Sequence, residues 1–170
     1  FPTRRSSDLT LSYEARRGMF FEAELIAILQ TLQEGKVTLP QLRGSWAGAM
    51  GHTQFMPTSY RALAVDFGGD GVANIWDDDP TDALASTAAY LAKSGWQKGA
   101  PWGIEVTLPQ KFDYELAGNR TAKPVAAWAA MGVAGLPNTG WGAIITPAGA
   151  RGPAFLIFDN FAAIETYNRA

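Results

Sequence analysis

The sequence predicts a mainly helical α+β fold, in which a helical front leads into a mixed tail with a small antiparallel sheet. Segments of the first hundred residues repeat apolar residues at three- and four-residue spacing, which is typical of helices. Short apolar segments after residue 100 alternate or carry β-branched residues, which is typical of strands. With 170 residues, 47% of them hydrophobic and 18% charged, the chain has the composition of one folded domain, or one with a small appendage.

The first helix is expected over residues 11–34. Gly35 would end it as a C-cap, and a short helix start is expected at 38–42, with Thr38 as N-cap and Pro40 in its first turn. The spacing predicts one apolar stripe on the first helix, made of Phe20, Phe21, Leu25, Ile28, Leu29 and Leu32.

Two more helices are expected before residue 100. One begins at Pro57 and the other covers 81–93 and ends at Gly95. The predicted inward residues of the first are Tyr60, Leu63, Ala64 and Phe67. Those of the second are Leu84, Thr87, Ala88 and Leu91.

The tail is expected to supply the sheet. Alternation predicts a strand over 102–108, and two further strands are expected over 143–146 and 154–158, joined by a turn rich in proline and glycine. A short helix is expected to begin at Pro124.

The composition excludes several classes of function. A net charge of −2 without a basic stripe argues against a nucleic-acid partner. The absence of cysteine excludes disulfides, thiolate metal sites and cysteine nucleophiles. No apolar run approaches the roughly 18 residues of a membrane span, and the sequence leaves membrane anchoring open. Six tryptophans and five tyrosines would suit sugar faces, although ordinary core packing is the better explanation for most of them.

Residues 1–9, FPTRRSSDL, show neither helical nor strand periodicity. They match the translation of a common sequencing adapter, and a polar N-terminal tail is the alternative. We expect an artefact, and hence a natural sequence that is cut at this point. The remaining chain is expected to form a helical core over 10–100 and a mixed α/β part of the same domain over 101–170.

An acidic loop begins at Asp66 and follows the start of an EF-hand calcium loop. The expected ligands are the carboxylates of Asp66 and Asp70 and the carbonyl of Val72, whereas Gly68 offers no side-chain oxygen at the third loop position. The last acid would be Asp77, or one of Asp78, Asp79 and Asp82, of which Asp82 lies near the start of the next helix. A solvated acidic turn is the alternative, and the sequence favours neither.

The run GSWAGAMGHTQFMP at 44–57, with the acidic loop and YLAKSGW at 90–96, closely resembles the lytic murein transglycosylase B family. The resemblance implies a lysozyme-like helical core. It also implies cleavage of the β-1,4 bond between N-acetylmuramic acid and N-acetylglucosamine in peptidoglycan, without water, so that a 1,6-anhydro ring closes on the muramic acid. One glutamic acid protonates the glycosidic oxygen and then takes the proton of the C6 hydroxyl.

The family's catalytic glutamic acid lies in a Glu-Thr-x-x-Gly motif, and this motif does not occur in the chain. Glu14, Glu22 and Glu24 occupy family positions that are not catalytic. We therefore expect no catalytic residue here: the acid would lie upstream of residue 1, the chain would be truncated at both ends, and by itself it would be inactive.

The resemblance carries over a set of substrate-binding residues: Arg16, Arg17, Ser45, Gln54, Tyr90, Tyr167 and Asn168. For the calcium site it points to Asp82 as the last ligand. It implies peptidoglycan glycan strands as the partner, no required cofactor apart from an optional structural calcium ion, and a monomer. The expected location is the bacterial periplasm, with outer-membrane association of the full-length parent as an option. A noncatalytic peptidoglycan- or calcium-binding module is the alternative.

Overall fold

The computed structural model describes residues 18–42, 44–45, 47–118 and 120–168, and the chain divides into two compact units, Phe1–Tyr90 and Leu91–Ala170. Five helices and four strands lie in the described residues, and the strands form one antiparallel sheet near the C-terminus. The predicted fold class is therefore confirmed.

The helices of the first part of the chain are α1 (Gly18–Gln33), α2 (Pro57–Leu63) and α3 (Thr81–Lys93). Gly35, two residues after the end of helix α1, is the predicted cap: its φ is +69°, and the N–H of Lys36 donates to the carbonyl of Thr31 at 3.2 Å. A 3₁₀ turn, Leu39–Gln41, follows. Its Thr38 hydroxyl and N–H both donate to the side-chain oxygen of Gln41, which confirms a capped helix start of a single turn.

The buried face of α1 differs from the predicted apolar stripe. Phe20 and Leu29 are exposed, and the buried residues are Glu24, Ala27, Ile28 and Thr31. The two polar residues are buried because they have partners on α2: Glu24 accepts from Thr58, and the Thr31 hydroxyl contacts Arg61 at 3.4 Å.

Helices α2 and α3 correct the prediction in the same way. Helix α2 ends at Leu63, so Phe67 lies beyond it and is 71% exposed. Helix α3 has the predicted bounds, but Leu84 is exposed and the buried residues are Asp82, Ala83 and Ser86. Asp82 and Ser86 are buried because they accept hydrogen bonds from backbone N–H groups of the loop before α3.

The second unit is built on the sheet. Its strands are β1 (Gly103–Val106), β2 (Lys123–Pro124), β3 (Trp141–Ile145) and β4 (Ala154–Ile157), in the order β1-β4-β3-β2. Leu156 on β4 is paired with Ile104 on one side and Ile144 on the other. Three strands were predicted from the sequence, whereas the two-residue β2 was not.

Two helices accompany the sheet, α4 (Val125–Ala130) and α5 (Asp159–Tyr167). Helix α4 confirms the prediction of a helix at Pro124, which is its N-cap. Helix α5 was missed because its sequence has no wide apolar stripe. Trp128 of α4 is fully buried and donates its indole N–H to the carbonyl of Gly142 at 2.9 Å. The apolar core around it also contains Val106, Phe112, Val125, Val133, Ile144, Ala154 and Leu156.

Candidate functional site

The glycine-rich segment, here residues 44–45 and 47–56, carries the most specific residues of the sequence. Isolated β-bridges join Gly44 to Met50 and Met50 to Phe55, and the Met50 side chain is fully buried. A Cβ on Gly44 would collide with the carbonyl oxygen of Ala49, and one on Gly51 with that of Ile75. The small residues are therefore required by the close approach of backbone to backbone.

Gln54 has an unusual backbone conformation within this segment. Its φ is +52°, which makes it the non-glycine residue with a left-handed backbone among the described residues. The side-chain amide donates to the carbonyl of Gly51 at 2.8 Å, which helps to hold this strained turn. Gln54 is exposed, so its amide oxygen faces solvent and can accept a hydrogen bond from a ligand.

Ser45 fixes the entry to the segment. Its hydroxyl oxygen accepts the N–H of Ala49 at 3.1 Å, while the Ser45 N–H donates to the carbonyl of Ala49 at 2.9 Å. The side chain is half-buried and its hydroxyl proton can still donate. Ser45 thus shapes the backbone and presents one donor.

Tyr90 lies on α3, and its ring packs against Phe55 with the centroids 5.5 Å apart. Phe55 follows Gln54 directly and is bridged to Met50. The structure therefore connects Ser45, Gln54 and Tyr90 through one continuous set of backbone bridges and a ring contact.

A hollow of about 480 Å³ opens beside Gln54 and is lined by Pro40, Gln41, Gly51, His52, Gln54, Trp76 and Asp77. A ring nitrogen of His52 lies 2.8 Å from the carbonyl oxygen of Asp77, which closes one wall. The indole nitrogen of Trp76 is buried and has no partner in the described part of the chain. Amide, imidazole and indole groups around an open hollow suit a ligand rich in hydroxyl and acetamido groups.

Sequence reasoning missed a buried carboxyl group next to this segment. Glu24 is 2% exposed, and its two oxygens accept the N–H of Thr58 at 2.9 Å and the hydroxyl of Thr58 at 2.7 Å. Thr58 lies in the first turn of α2, so Glu24 caps the helix that follows the glycine-rich segment. Both oxygens of Glu24 are engaged in this capping contact, so Glu24 is a positioning residue. The sequence feature that could have indicated it is a lone charged residue on an otherwise apolar helix face.

The acidic loop is organised around carboxylates that accept backbone N–H groups. Asp82 accepts from Phe67, Gly68 and Asn74 at 2.8 to 3.1 Å. The contact with the Asn74 N–H is the largest cause of a lowered pKa of the Asp82 carboxyl.

The other expected calcium ligands are engaged in the same way. Both oxygens of Asp66 accept loop N–H groups at 2.6 to 3.2 Å, and Asp70 accepts the N–H of Val72 at 2.9 Å. No group of three acidic or histidine side chains converges on a common point within the described residues. With Gly68 lacking a side-chain oxygen, the residues as arranged do not fit a calcium ion.

The remaining predicted site residues lie elsewhere. Tyr167 and Asn168 end helix α5 in the second unit, where the Asn168 N–H donates to the carbonyl of Ile164 at 3.0 Å. Their role in a common site with Ser45, Gln54 and Tyr90 stays a prediction. Arg16 and Arg17 lie outside the described residues.

With this geometry established, comparison with known proteins decides the family. The Transglycosylase SLT domain matches residues 6–170 of the chain. The chain belongs to the lytic transglycosylase family. Because the match covers nearly the whole chain, the resemblance that rested on the glycine-rich segment is confirmed.

Among curated proteins, the membrane-bound lytic murein transglycosylase B of Escherichia coli (strain K12) is 47% identical over 91 residues, which are 53% of this chain and 25% of that protein. A structure of SltB3 from Pseudomonas aeruginosa in complex with NAG-NAM-pentapeptide is 49% identical with a TM-score of 0.88, and the match covers 100% of this chain and 47% of that one. The Escherichia coli lytic transglycosylase Slt35 in complex with calcium is 33% identical with a TM-score of 0.82, and the match covers 99% of this chain and 55% of that one.

The chain spans about half the length of these solved relatives, and its match covers a quarter of the curated one. In the part of the chain that the structure describes, no helix combines the length and the apolar character that crossing a membrane requires.

Proposed function

We propose that the chain is part of a lytic transglycosylase that binds and cleaves the glycan strands of peptidoglycan. The observation that carries the proposal is the glycine-rich segment, because it lies within the part of the chain that matches the family and borders the hollow beside Gln54. A structure of SltB3 in complex with NAG-anhNAM-pentapeptide is also similar, with a TM-score of 0.87 and 50% identity. This supports a sugar strand as the ligand and a 1,6-anhydro sugar as the product.

The proposed reaction needs one carboxylic acid and no water. The acid donates its proton to the glycosidic oxygen, and the bond between this oxygen and C1 of the N-acetylmuramic acid breaks. The resulting carboxylate removes the proton of the C6 hydroxyl, and O6 forms the new bond to C1. The acid is regenerated, so atoms and protons balance.

The residues of this chain hold the strand in that reaction. The Gln54 amide oxygen accepts from a sugar hydroxyl or acetamido N–H, the Ser45 hydroxyl donates, and the Tyr90 ring forms a wall over Phe55. Tyr167 and Asn168, with Arg16 and Arg17, are proposed to contact the same strand. The acid itself is proposed to come from sequence outside this chain, since the one Glu-Thr pair, Glu165-Thr166, is followed by Arg169 where the motif requires glycine.

Binding and chemistry can be tested separately. We expect the 170-residue chain to sediment with purified sacculi and to release no anhydromuropeptides, as measured by liquid chromatography with mass spectrometry. A longer form that carries a family Glu-Thr-x-x-Gly segment upstream is expected to release them. Release by the 170-residue chain alone would contradict the assignment of the acid to outside sequence.

A matched pair of glutamine variants tests the binding groove, which is the hollow beside Gln54. Gln54→Ala is expected to weaken binding to sacculi about tenfold, the effect of losing hydrogen bonds worth about 1.4 kcal/mol. Gln33→Ala, at an exposed position on α1, is the control and should bind like the wild type. Equal binding of all three proteins would count against the groove.

The alternative function is a noncatalytic peptidoglycan-binding module that uses the same hollow. It predicts binding without release even when the upstream segment is present. The longer form therefore discriminates between the two functions, because they agree on binding and disagree on the anhydro product.

We further propose that the acidic loop is closed by Asp82 rather than by an ion. The supporting observation is that both oxygens of the Asp82 carboxylate already accept backbone N–H groups, from Phe67, Gly68 and Asn74. The melting temperature should then be the same in millimolar calcium and in a chelator, because a ligand stabilises a fold only if it binds the folded state. A rise with calcium concentration would contradict this and restore the calcium site.

The proposed location is the bacterial cell envelope, where peptidoglycan lies. The similarity to a membrane-bound lytic murein transglycosylase supports it. Fractionation of cells that express the native gene would test it, since recovery of the protein with the cytoplasm alone would contradict it.

A further inference from the structure

Two polar side chains, Gln41 and His52, line the hollow beside Gln54 and are not among the substrate-binding residues that the resemblance implies. Each of them contacts the backbone with one of its polar atoms, and the chemistry of the partner identifies that atom. A backbone N–H only donates a hydrogen bond and a carbonyl oxygen only accepts one. The polar atom that each side chain has left for a ligand is therefore known as well.

Gln41 ends the 3₁₀ turn Leu39–Gln41. The Thr38 N–H and hydroxyl donate to its side-chain oxygen Oε1 at 3.0 and 2.8 Å. Since a backbone N–H cannot accept, these contacts fix the orientation of the amide, and its other polar atom is Nε2 with two N–H groups. Nothing in the described part of the chain accepts a hydrogen bond from them. Gln41 therefore presents hydrogen-bond donors.

His52 presents the opposite polarity. Its ring nitrogen Nε2 lies 2.8 Å from the carbonyl oxygen of Asp77, so Nε2 carries the proton. In the neutral ring the second nitrogen, Nδ1, is then an acceptor, and none of the described residues donates to it. The His52 N–H also donates to the carbonyl of Ile75 at 2.8 Å, so the residue is held at two points. Gln54 has a similar arrangement, because its Nε2 donates to Gly51 and its Oε1 is left as an acceptor.

The lining of the hollow therefore offers donors at Gln41 and acceptors at His52 and Gln54. Pro40 and Trp76 add apolar surface to the same hollow. A secondary amide with a methyl end fits this pattern, since its carbonyl oxygen accepts, its N–H donates and its methyl group is apolar. A hydroxyl group uses one oxygen for both purposes and has no apolar end, so it satisfies less of the pattern.

We propose that Gln41 and His52 are specificity-determining residues of the glycan site, which select sugars that carry an acetamido group. The acetamido carbonyl accepts from Nε2 of Gln41, its N–H donates to Nδ1 of His52, and its methyl group packs against Trp76. Thr38 and the carbonyl of Asp77 are positioning groups, since each holds one of the two side chains in the required orientation. The inference rests on the proposed function for the identity of the ligand, and it adds the residues that discriminate between sugars.

The test measures binding of the 170-residue chain by calorimetry to two β-1,4-linked tetramers, one of N-acetylglucosamine and one of glucose, which differ only in the group at C2. Both are uncharged, so the Asp77 carboxylate at the hollow favours neither. We expect the wild type to bind the acetylated probe about tenfold more tightly, the effect of one or two hydrogen bonds.

A charge-matched pair of variants tests Gln41. Gln41→Glu keeps an acceptor oxygen for Thr38 and replaces the donors by a second acceptor, so it should remove most of the preference for the acetylated probe while the turn stays capped. Gln33→Glu, at an exposed position on α1 outside the hollow, adds the same charge and should keep the preference.

A pair of His52 variants separates ligand binding from a structural role. The amide of an asparagine reaches the position of Nδ1, and that of a glutamine reaches the position of Nε2. His52→Asn therefore keeps an acceptor for the ligand and loses the contact with Asp77, whereas His52→Gln keeps that contact and loses the acceptor. We expect His52→Gln to lose most of the preference for the acetylated probe and His52→Asn to keep more of it. The opposite order would overturn the role of His52 in specificity.

Binding to sacculi is the separate measurement of the proposed function. A wild type that binds sacculi but binds both probes equally, or binds neither, would overturn the specificity residues and leave the proposed function standing. A preference that survives unchanged in Gln41→Glu and His52→Gln would also overturn them, and so would its loss in Gln33→Glu. A wild type that binds neither sacculi nor probes would overturn both proposals. Circular dichroism of each variant, compared with the wild type, checks that the fold is retained.

Discussion

In the first unit the glycine-rich segment contains only bridges and turns, and its path is set by backbone contacts at Gly44 and Gly51 and by the buried carboxyl of Glu24. In the second unit, four strands and a helix surround the apolar core at Trp128. Irregular backbone leaves N–H and carbonyl groups that must find side-chain partners, whereas a sheet pairs its own. The difference shows why the candidate glycan site is polar even in its interior, and why the sheet can carry an exposed ring, that of Trp141, without losing its shape.

The largest expected effect is in the apolar core of the second unit. Trp128→Ala removes a fully buried ring and its hydrogen bond to Gly142, and it should lower the free energy of unfolding by about 3–5 kcal/mol. Denaturant titration followed by circular dichroism measures this. Trp102→Ala, at a 38% exposed ring, is the control and should lose clearly less. Equal losses would mean that Trp128 is not the centre of the core.

The corresponding change in the first unit removes a buried polar side chain instead of an apolar one. Glu24→Ala leaves the N–H and hydroxyl of Thr58 without acceptors and should lower the free energy of unfolding by about 2–3 kcal/mol. Glu24→Gln keeps one acceptor oxygen and should lose less. Glu22→Ala, an exposed residue of the same helix, is expected to be near neutral. Binding to sacculi should fall with Glu24→Ala and recover in Glu24→Gln. A helix cap that had no part in shaping the groove would not produce this pattern.

A third change separates the shape of the glycine-rich segment from its function. Glycine tolerates the left-handed backbone of Gln54, so Gln54→Gly should relieve about 1 kcal/mol of strain. The lost hydrogen bond to Gly51 offsets part of this gain, so thermal unfolding is expected near the wild-type temperature. Binding to sacculi should nevertheless fall as it does in Gln54→Ala. A Gln54→Gly protein that binds normally would show that the turn, rather than the amide, makes the groove.

The smallest expected effect concerns an exposed ion pair between Glu34, just after helix α1, and Arg61 on α2. The Arg61 guanidinium, 2.8 Å away, and then Lys36 lower the pKa of the Glu34 carboxyl to about 2. A pKa lowered by folding stabilises the fold above the unfolded-state value of about 4.3, and this contribution disappears as the pH falls toward 2. The melting temperatures of the wild type and Glu34→Gln should therefore differ slightly at pH 6 and converge at low pH. A difference that grows on acidification would contradict the sign.

Much of this architecture follows from local sequence rules. Glycine at positions 35 and 95 ends α1 and α3 because it adopts positive φ at no steric cost. The bounds of α3 and the approximate positions of three strands follow from periodicity. The glycine-rich segment identified the family because several of its residues are required together by backbone approach.

Other features were decided only by tertiary contacts. Apolar periodicity predicted that apolar stripes of α1 and α3 would be buried, whereas their buried faces contain Glu24 and Asp82. Those carboxylates are buried because distant N–H groups, at Thr58 and at Asn74, need acceptors, and no local pattern encodes such a pairing. The exposure of Trp141 likewise depends on which face of the sheet the Trp128 core occupies. Sequence alone therefore located most of the helices and strands, and tertiary structure determined which of their side chains are left to bind a ligand.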